Sequence, residues 1–184
     1  MKRTSRRPGA RGQSSAPQKG EPAPIPSVDR MREVGIFGAL SDEVLARIAE
    51  MEQLMLSPGH LVFAEGDHGR EMYIVLDGEV EVLKRSRRGR DQRVAILGPN
   101  DAFGEMSIID IQPRSATVRT LGPTRLLRIR SDDLDALYRS DLRGYAILVL
   151  NLARDLSRRL RVTDGLMADF AASVLDEYVP RKPR

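Results

Sequence analysis

The residues best suited to bind a ligand, Glu105 and Arg114, lie nine positions apart in the stretch FGEMSIIDIQPRSATV, residues 103–118. The sequence predicts a tight turn at Gly104 and then a short helical turn, whose first backbone N–H groups point at one spot and favour an anion there. Arg114 begins a run in which apolar and polar residues alternate, so its guanidinium can return to the same spot. A carboxylate accepts hydrogen bonds from ribose hydroxyls, and an arginine binds phosphate oxygens in a fork. We therefore expect this stretch to bind a phosphate that is joined to a sugar.

The same stretch resembles the phosphate-binding cassette of the cyclic nucleotide-binding domains, the family of the catabolite activators and of the regulatory subunits of protein kinase A. The resemblance lies in the Phe-Gly-Glu opening, the Arg-Ser-Ala close and the spacing between the glutamate and the arginine. It implies that Glu105 binds the ribose 2′-hydroxyl and that Arg114 binds the cyclic phosphate. The site that it implies also contains three residues that supply backbone or hydroxyl donors (Gly104, Ser107 and Ser115) and three further residues (Met106, Ala116 and Thr163).

The alternative is a corner of the fold in which Glu105 and Arg114 form an ion pair and no ligand binds. We favour a binding site, because relatives that have lost their ligand usually lose one of these two charges while they keep the fold. Two positions depart from the family pattern. Asn100 stands where relatives usually have glycine, in a turn that asparagine tolerates. Ala102 replaces a side chain that is commonly aromatic, and we expect this change to affect affinity more than the site itself.

From His60 to Arg130 the apolar residues follow a period of two, which is typical of strands. Turn signals such as Pro58-Gly59 and Gly98-Pro99 separate the runs, and this even spacing predicts a small antiparallel barrel or roll. The stretch VFAEGDHGREMYIVLDGEVEV (62–82) resembles the first strands of the family, which implies an antiparallel β-roll of the double-stranded jelly-roll type with flanking helices. The predicted strands are 61–64, 72–76, 79–83, 94–97, 116–121 and 125–129.

Helices are predicted on both sides of the roll. A short helical entry covers residues 30–38, and Ser41 then caps a helix that should end near residues 51–54. After the roll, a short helix begins at Ser131 and a long helix covers residues 142–162. Gly165 is expected to break the chain before a small terminal helix over residues 166–179.

The predicted long helix carries an apolar stripe whose members are spaced by three and four. Such a stripe can pack on the roll or pair with the same helix of a second chain, so both possibilities stay open. In the family the equivalent helix closes over the base, forms the dimer, or does both. The run RRLRVTD (158–164) resembles the end of that helix in the catabolite activator, where a threonine meets the adenine, although Asp164 replaces a serine. Only 21 residues follow Thr163, and we expect these to be too few for a helix-turn-helix domain.

Charge divides the chain into a basic leader and a nearly neutral remainder. The 184 residues have a net charge of +4, and residues 1–27 hold six basic side chains and one acidic one, which leaves −1 for the rest. The sequence predicts a disordered basic tail over residues 1–27, a nucleotide-binding domain over 28–163, and a helical extension and tail over 164–184. There is no cysteine, no apolar run of about 18 residues and no secretion signal. We expect a cytoplasmic protein with no membrane contact.

Other candidates for chemistry are few. His60 and His68 have no cysteine or paired carboxylate at metal-ligand spacing, so no metal is predicted. No nucleophile with a base and no carboxylate pair lies within reach of residues 103–118, so we do not predict an enzyme. Residues 84–93 (KRSRRGRDQR) should form a basic hairpin tip, which is either a solvated loop or a docking surface for an acidic partner.

Together these features predict a receptor for a cyclic mononucleotide that signals to a protein partner through movement of its C-terminal helix. We favour cAMP over cGMP, although the hydroxyls of Ser115 and Thr163 can serve either purine. Helix 142–162 is a possible homodimer interface. Nucleic acid is not an expected partner, because no aromatic residue interleaves the arginines of the tail. Two alternatives are a nucleic-acid-associated regulator that uses the basic tail and a protein of this fold that has lost its ligand.

Overall fold

The structure is a computed structural model that describes residues 24–178. Most of the predicted tail, residues 1–23, and the last residues, 179–184, lie outside the described part. The first described helix begins after Ser27, whose side chain accepts a hydrogen bond from the Arg30 backbone N–H. This is the N-cap arrangement that serine favours.

Within the described residues, eight strands form two four-stranded sheets, with the orders β1-β8-β3-β6 and β2-β7-β4-β5. All the strand pairs in these sheets are antiparallel. The predicted antiparallel β-roll with flanking helices is therefore confirmed. The strands are β1 (Gln53–Leu56), β2 (Leu61–Phe63), β3 (Glu71–Asp77), β4 (Val80–Arg85), β5 (Asp91–Leu97), β6 (Ala102–Phe103), β7 (Thr117–Thr120) and β8 (Thr124–Arg130).

The helices lie before, within and after the roll. A 3-10 turn at Gly35–Phe37 joins the first two helices, and α3 is the short helical turn that was predicted after Gly104. The α-helices of residues 24–178 are α1 (Val28–Arg32), α2 (Asp42–Ala49), α3 (Met106–Ile109), α4 (Ser131–Ser140) and α5 (Leu142–Tyr178).

One apolar core joins the helices to the sheet that contains β3 and β8. Leu148 and Leu152 of α5 are buried in this core with Phe37, Ile74 and Leu127. Burial of each such side chain contributes about 1.5 to 3 kcal/mol. Asn151 on the same helix donates hydrogen bonds to the carbonyl oxygens of Ile36 (3.1 Å) and Gly38 (2.8 Å). The first half of α5 is thus fixed to the domain.

A second apolar core fills the space between the two sheets. Val75 and Leu126 from one sheet meet Val80 and Val118 from the other, and Phe103 completes the cluster. Phe103 directly precedes Gly104, so this core anchors the start of the predicted binding stretch. All five residues are at most 3% exposed.

Several elements differ from the prediction, among them β5, which begins at Asp91, inside the predicted hairpin tip, and not at residue 94. Helix α2 ends at Ala49 and not near residues 51–54, and β1 begins at Gln53, where no strand was predicted. Strand β1 exists because Gln53–Leu56 pairs with β8, a tertiary pairing that the local sequence does not show. Strand β6, only two residues long, was also not predicted because so short a strand leaves no alternation to detect.

The prediction that the long helix ends near Val162 and that Gly165 breaks the chain is wrong. Helix α5 runs without interruption for 37 residues to Tyr178, which corresponds to about 55 Å. A glycine inside a helix costs only about 1 kcal/mol relative to alanine. Leu166, Met167 and Ala168, which follow Gly165, are good helix formers and help to offset this cost. The domain boundary placed after Thr163 consequently falls inside one helix.

Several turns require left-handed backbone conformations. Gly66 and Gly78 have φ values of +90° and +84°, and a Cβ on Gly78 would lie 2.4 Å from the Pro123 carbonyl oxygen. Asn100, which replaces the usual glycine of the family, has a φ of +77° and keeps its turn intact.

None of the helices in residues 24–178 combines the length and the apolar character that a bilayer crossing demands.

Candidate functional site

A cavity of about 490 Å³ lies between the stretch 103–118, hereafter the cassette, the sheet that contains β4 and β5, and the second half of α5. All the side chains and glycines that the sequence assigned to the binding site line this one cavity. They are Gly104, Glu105, Met106, Ser107, Arg114, Ser115, Ala116 and Thr163.

Arg114 lies at the floor of the cavity and is only 3% exposed. Its Nη1 donates to the carbonyl oxygens of Glu71 (2.8 Å) and Gly104 (2.9 Å) and to the Ser107 hydroxyl (2.8 Å). Its Nη2 donates to Glu71 Oε1 at 2.7 Å. The protein thus holds one end of the guanidinium with four acceptors.

The other edge of the same guanidinium has unused donors. The Nε of Arg114 is buried and has no hydrogen-bond partner among the described residues. Because Nη2 carries two hydrogens and contacts only Glu71 Oε1, one of these hydrogens is also unused. The Nε and Nη2 hydrogens form the edge with which an arginine binds two oxygens of one phosphate. A buried donor without an acceptor costs about 1 to 3 kcal/mol, so a ligand with two phosphate oxygens would relieve this cost.

An aromatic cluster packs against the guanidinium of Arg114. The Cζ of Arg114 lies 4.1 Å from the ring centre of Phe63, which is a cation–π contact. Phe63, Tyr73 and Phe103 pack together with ring centres 5.3 to 6.1 Å apart; Tyr73 and Phe103 are stacked, and Phe63 is tilted against both. Burial, with help from the Glu71 carboxylate, raises the pKa of Tyr73 to about 12, so its hydroxyl stays protonated. These rings leave the guanidinium little freedom to rotate.

Gly69 packs directly against the guanidinium. A Cβ at this position would lie within 3.0 Å of Nη2, Cζ and Nε of Arg114. The backbone near Gly69 also fixes Arg114, whose N–H donates to the Asp67 carbonyl oxygen at 2.8 Å. The loop between β2 and β3 therefore has room for the arginine only because residue 69 lacks a side chain.

Glu105 is 5% exposed, and its side chain faces the same cavity. Burial raises the pKa of Glu105, and the nearby positive charge of Arg159 opposes this effect. Arg159 Nη1 lies 3.6 Å from Glu105 Oε1, while Nε and Nη2 of Arg159 contact Asp155 (2.8 Å) and the Ala102 carbonyl oxygen (2.6 Å). Arg159 therefore connects α5 to the cassette.

Glu105 and Arg114 do not form the ion pair that the ligand-free alternative predicted. Arg114 pairs with Glu71, and Glu105 has Arg159 as its nearest cation. Each charge of the cassette has its own partner from another element, so neither neutralises the other.

The smaller residues of the cassette differ in what they offer to a ligand. The Ser107 hydroxyl donates to the Gly104 carbonyl oxygen and accepts from Arg114, so what remains for a ligand is its backbone N–H, which has no partner inside α3. Ser115 is exposed, and its hydroxyl has only a weak contact, at 3.5 Å, with the Met106 sulfur. Ala116 is half-buried on the cavity wall.

The mouth of the cavity is mostly apolar and is bordered by α5. Val94, Val162 and Leu166 line it and are each at least 60% exposed. Thr163 also lines the mouth, and its hydroxyl donates to the Arg159 carbonyl oxygen at 3.0 Å. The lone pairs of the threonine oxygen face no donor among the described residues. A flat, partly polar group such as a purine base suits a border of this kind.

The sequence did not identify Glu71, Phe63 or Arg159 as parts of the site. Arg159 could have been found, because it precedes Thr163 by four residues and so lies on the same helix face. Nothing in the sequence connects Glu71 or Phe63 with Arg114, since strand packing alone brings them together.

Comparisons with known proteins identify the family of the chain. The family model described as the cyclic nucleotide-binding domain matches residues 53–141. A CRP-like cAMP-activated global transcriptional regulator of Mycobacterium tuberculosis is 38% identical over 136 residues, which cover 73% of this chain and 59% of the relative.

Solved structures show the same likeness. The N-terminal domain of a transcriptional regulator from Streptomyces coelicolor is 33% identical, with a TM-score of 0.64, and the match covers 71% of this chain and 94% of that one. The Thermus thermophilus catabolite activator protein is 32% identical, with a TM-score of 0.66, over 75% of this chain and 63% of that one. The chain thus spans less than two thirds of the Thermus and Mycobacterium regulators. With its cassette, its roll and these relatives, the chain belongs to the cyclic nucleotide-binding domain family.

Proposed function

We propose that this chain is a receptor for a cyclic mononucleotide, with cAMP preferred over cGMP, and that it acts without catalysis. The unused edge of the buried Arg114 carries this proposal, because two oxygens of a cyclic phosphate would satisfy Nε and Nη2 together. The relatives named above are regulators, which supports a role in regulation.

Glu105 is proposed to bind the ribose. As a carboxylate it accepts hydrogen bonds from the 2′-hydroxyl, and the positive charge of Arg159 at 3.6 Å favours this ionised form. The backbone N–H groups of Met106 and Ser107, at the start of α3, are proposed to complete the phosphate contacts.

The base is proposed to lie at the apolar mouth beside Thr163. Since the Thr163 hydroxyl hydrogen already goes to the Arg159 carbonyl oxygen, the threonine oxygen is left as an acceptor. The exocyclic amino group of adenine is a donor at the place where guanine has a carbonyl oxygen. This match, together with the cAMP-activated relative, supports cAMP.

The exposed side of α5 is proposed to pair with a second copy of the chain. A mostly apolar stripe runs along this side of the uninterrupted helix with alternating spacings of three and four, the pattern of a two-stranded coiled coil. It shares only Val149, Leu156 and Leu160 with the stripe predicted from the sequence, whose other members (Tyr145, Leu148 and Leu152) pack in or against the core. Members such as Leu160, Met167 and Phe170 are 60% to 66% exposed, which is unfavourable for an unpaired helix. The stripe consists of Val149, Ala153, Leu156, Leu160, Thr163, Met167, Phe170 and Val174.

Signalling is proposed to act through α5. Arg159 holds the helix to the cassette through Glu105 and the Ala102 carbonyl oxygen, and a nucleotide in the cavity would compete for the same carboxylate. A ligand that favours one helix position over another shifts the helix toward it. A protein partner in the cytoplasm is proposed to detect this shift.

An equilibrium titration of labelled cAMP against variants tests the proposal. Arg114→Ala should weaken binding about 30-fold or more, because an unpaired phosphate in a desolvated site costs about 2 to 5 kcal/mol. The matched control is Arg119→Ala. Arg119 lies five positions after Arg114, in β7, and pairs with Glu81. Equal affinities for Arg114→Ala and the unchanged chain would rule out this site.

A further inference from the structure

The hairpin between β4 and β5 projects beyond its sheet as a two-stranded ribbon. Strand β7 pairs with β4 only as far as Leu83, opposite Thr117. Beyond that point Lys84 and Arg85 pair only with β5, which is the edge strand of the sheet. We call residues 84–93 the basic ribbon.

The basic ribbon contains six basic residues and one acidic residue. Lys84 pairs with Glu65, and Arg93 lies 3.9 Å from Glu81. The four other arginines are all exposed (Arg85, Arg87, Arg88 and Arg90). Within the described part of the chain, their guanidinium groups form neither an ion pair nor a hydrogen bond. Four unpaired cations within six residues repel one another, so a polyanion that joins them would be bound favourably.

The base and the turn of the ribbon are well fixed. Glu65 Oε1 accepts from Lys84 Nζ at 2.7 Å, and Glu65 Oε2 accepts from the Arg85 N–H at 2.9 Å. Lys84 Nζ also donates to the Ser115 carbonyl oxygen. At the turn, Ser86 and Arg90 are joined by a backbone hydrogen bond of 2.8 Å. The arginines are thus presented on a preformed backbone, which lowers the entropy cost of binding.

Shape and composition indicate which polyanion fits. The ribbon has no apolar or aromatic side chain, whereas protein interfaces depend on such residues at their centre. An anionic membrane surface attracts arginines at about 1 kcal/mol each, but it is flat and would meet only the tip of a projecting ribbon. A convex ribbon complements a concave anionic surface, and the major groove of B-DNA, about 12 Å wide, admits a two-stranded β-ribbon.

We propose that the basic ribbon binds duplex DNA by entering the major groove, where Arg87, Arg88 and Arg90 contact phosphates on its edges. The sequence alone did not favour nucleic acid as a partner, because the tail lacks aromatic residues. Groove binding through phosphates does not need them, since aromatic stacking serves single strands. The binding requires no cyclic nucleotide, so it is independent of the function proposed above.

Fluorescence anisotropy with a labelled duplex of about 20 base pairs, without nucleotide, tests this proposal. The full chain should bind, and the triple variant Arg87→Gln, Arg88→Gln, Arg90→Gln should bind at least about tenfold more weakly at low salt. Its salt dependence should also fall by about 2 to 3 units of slope, or about one for each lost phosphate contact. The matched control is Arg139→Gln, Arg143→Gln, Arg161→Gln, which removes the same charge from three exposed arginines on α4 and α5. It should bind within about twofold of the unchanged chain.

Three results would overturn the proposal. An equal loss of DNA affinity in the two triple variants would show that only the net charge of the chain matters. The basic tail, which both variants keep, would then explain the binding. Equal or tighter binding of a single strand of the same sequence would exclude the groove. Tighter binding of poly-glutamate through the same three arginines would assign the ribbon to an acidic protein. Thermal unfolding of both variants checks the fold, since exposed substitutions should change stability by no more than about 0.5 kcal/mol.

Discussion

Arg114 is buried, charged and incompletely hydrogen-bonded, a combination that proteins seldom keep. Four acceptors, one aromatic ring and a glycine fix its position, and its buried Nε has no hydrogen-bond partner among the described residues. At the scale of the residue, recognition therefore depends on the orientation of the guanidinium as much as on its charge.

Gly69→Ala tests this orientation. The added Cβ would lie within 3.0 Å of Nη2, Cζ and Nε of Arg114, so the guanidinium must move away from its acceptors. Overpacking of this kind costs about 1 to 3 kcal/mol, and we expect titration to show nucleotide binding weakened at least about fivefold. Gly122→Ala is the control, because a Cβ there meets nothing within 4 Å. An affinity for Gly69→Ala equal to that of the control would contradict this account of the site.

The Glu105→Gln variant tests how the buried carboxyl of the site makes the stability of the protein depend on pH. Because burial raises the pKa of Glu105, the folded protein binds this proton more tightly than the unfolded chain does. The contribution of Glu105 to the stability of the unchanged chain must then fall as the pH rises from below 4.5, the usual value, through the raised pKa. Glutamine does not ionise, so the variant should gain stability relative to the unchanged chain as the pH rises, while it loses nucleotide affinity.

Melting temperatures of the two proteins without ligand, measured from pH 4 to pH 8, check this prediction. The exposed Glu79→Gln variant is the control and should follow the unchanged chain at every pH. If the difference in melting temperature between Glu105→Gln and the unchanged chain is the same at every pH, ionisation of the buried carboxyl does not destabilise the folded protein.

The two charges of the cassette could be predicted from the sequence, because their spacing and the turn at Gly104 are local. The partners Glu71 and Phe63 could not, since they come from strands that lie 43 or more positions before Arg114. A sequence shows which groups can bind a phosphate, whereas packing determines which edge of the arginine stays free.

At the scale of the element, α5 combines two functions along one helix. Its first half is held in the core by Leu148, Leu152 and Asn151. Its second half carries Arg159 and Thr163 to the cavity and then extends past the domain with an exposed apolar stripe. The helix can therefore stabilise the fold and still respond to a ligand.

A chain that ends after Ser157 separates these two functions. It keeps Leu148, Leu152 and Asn151, so we expect it to stay folded. It loses the Arg159 and Thr163 contacts, which should weaken cAMP binding about 5- to 150-fold if each is worth about 0.5 to 1.5 kcal/mol. A chain that ends after Tyr178 is the control.

Sedimentation of the same two proteins measures the proposed dimerisation independently of nucleotide binding. The shorter chain should be a monomer and the longer one a dimer. Nucleotide affinity that is the same in both would show that the second half of α5 does not contact the ligand.

Most strands with clear alternation were predicted nearly to their ends, because a period of two is a local property; β5 begins three residues before its predicted start. Strand β1 was not, because its pairing with β8 depends on residues about 70 positions away. The end of α5 was also predicted wrongly, since a single glycine at 165 weighed more in the sequence than it does in a helix of 37 residues.

At the scale of the whole molecule, one sheet carries both proposed binding surfaces. Val82 and Ala95, on β4 and β5, line the nucleotide cavity, and the same two strands continue into the basic ribbon. Lys84 joins the ribbon to Ser115, the residue after Arg114. A change at the cassette therefore has a short structural route to the ribbon, and α5 offers a second route to the proposed dimer.

The central claim is that one cyclic nucleotide binds in the cavity of each chain, and calorimetric titration of the full chain measures this directly. We predict a single set of sites with one cAMP per chain, weaker binding of cGMP, and little binding of 5′-AMP, whose open phosphate does not match the cassette. The absence of measurable binding of both cyclic nucleotides at millimolar concentration would contradict the account, and so would 5′-AMP binding as tightly as cAMP.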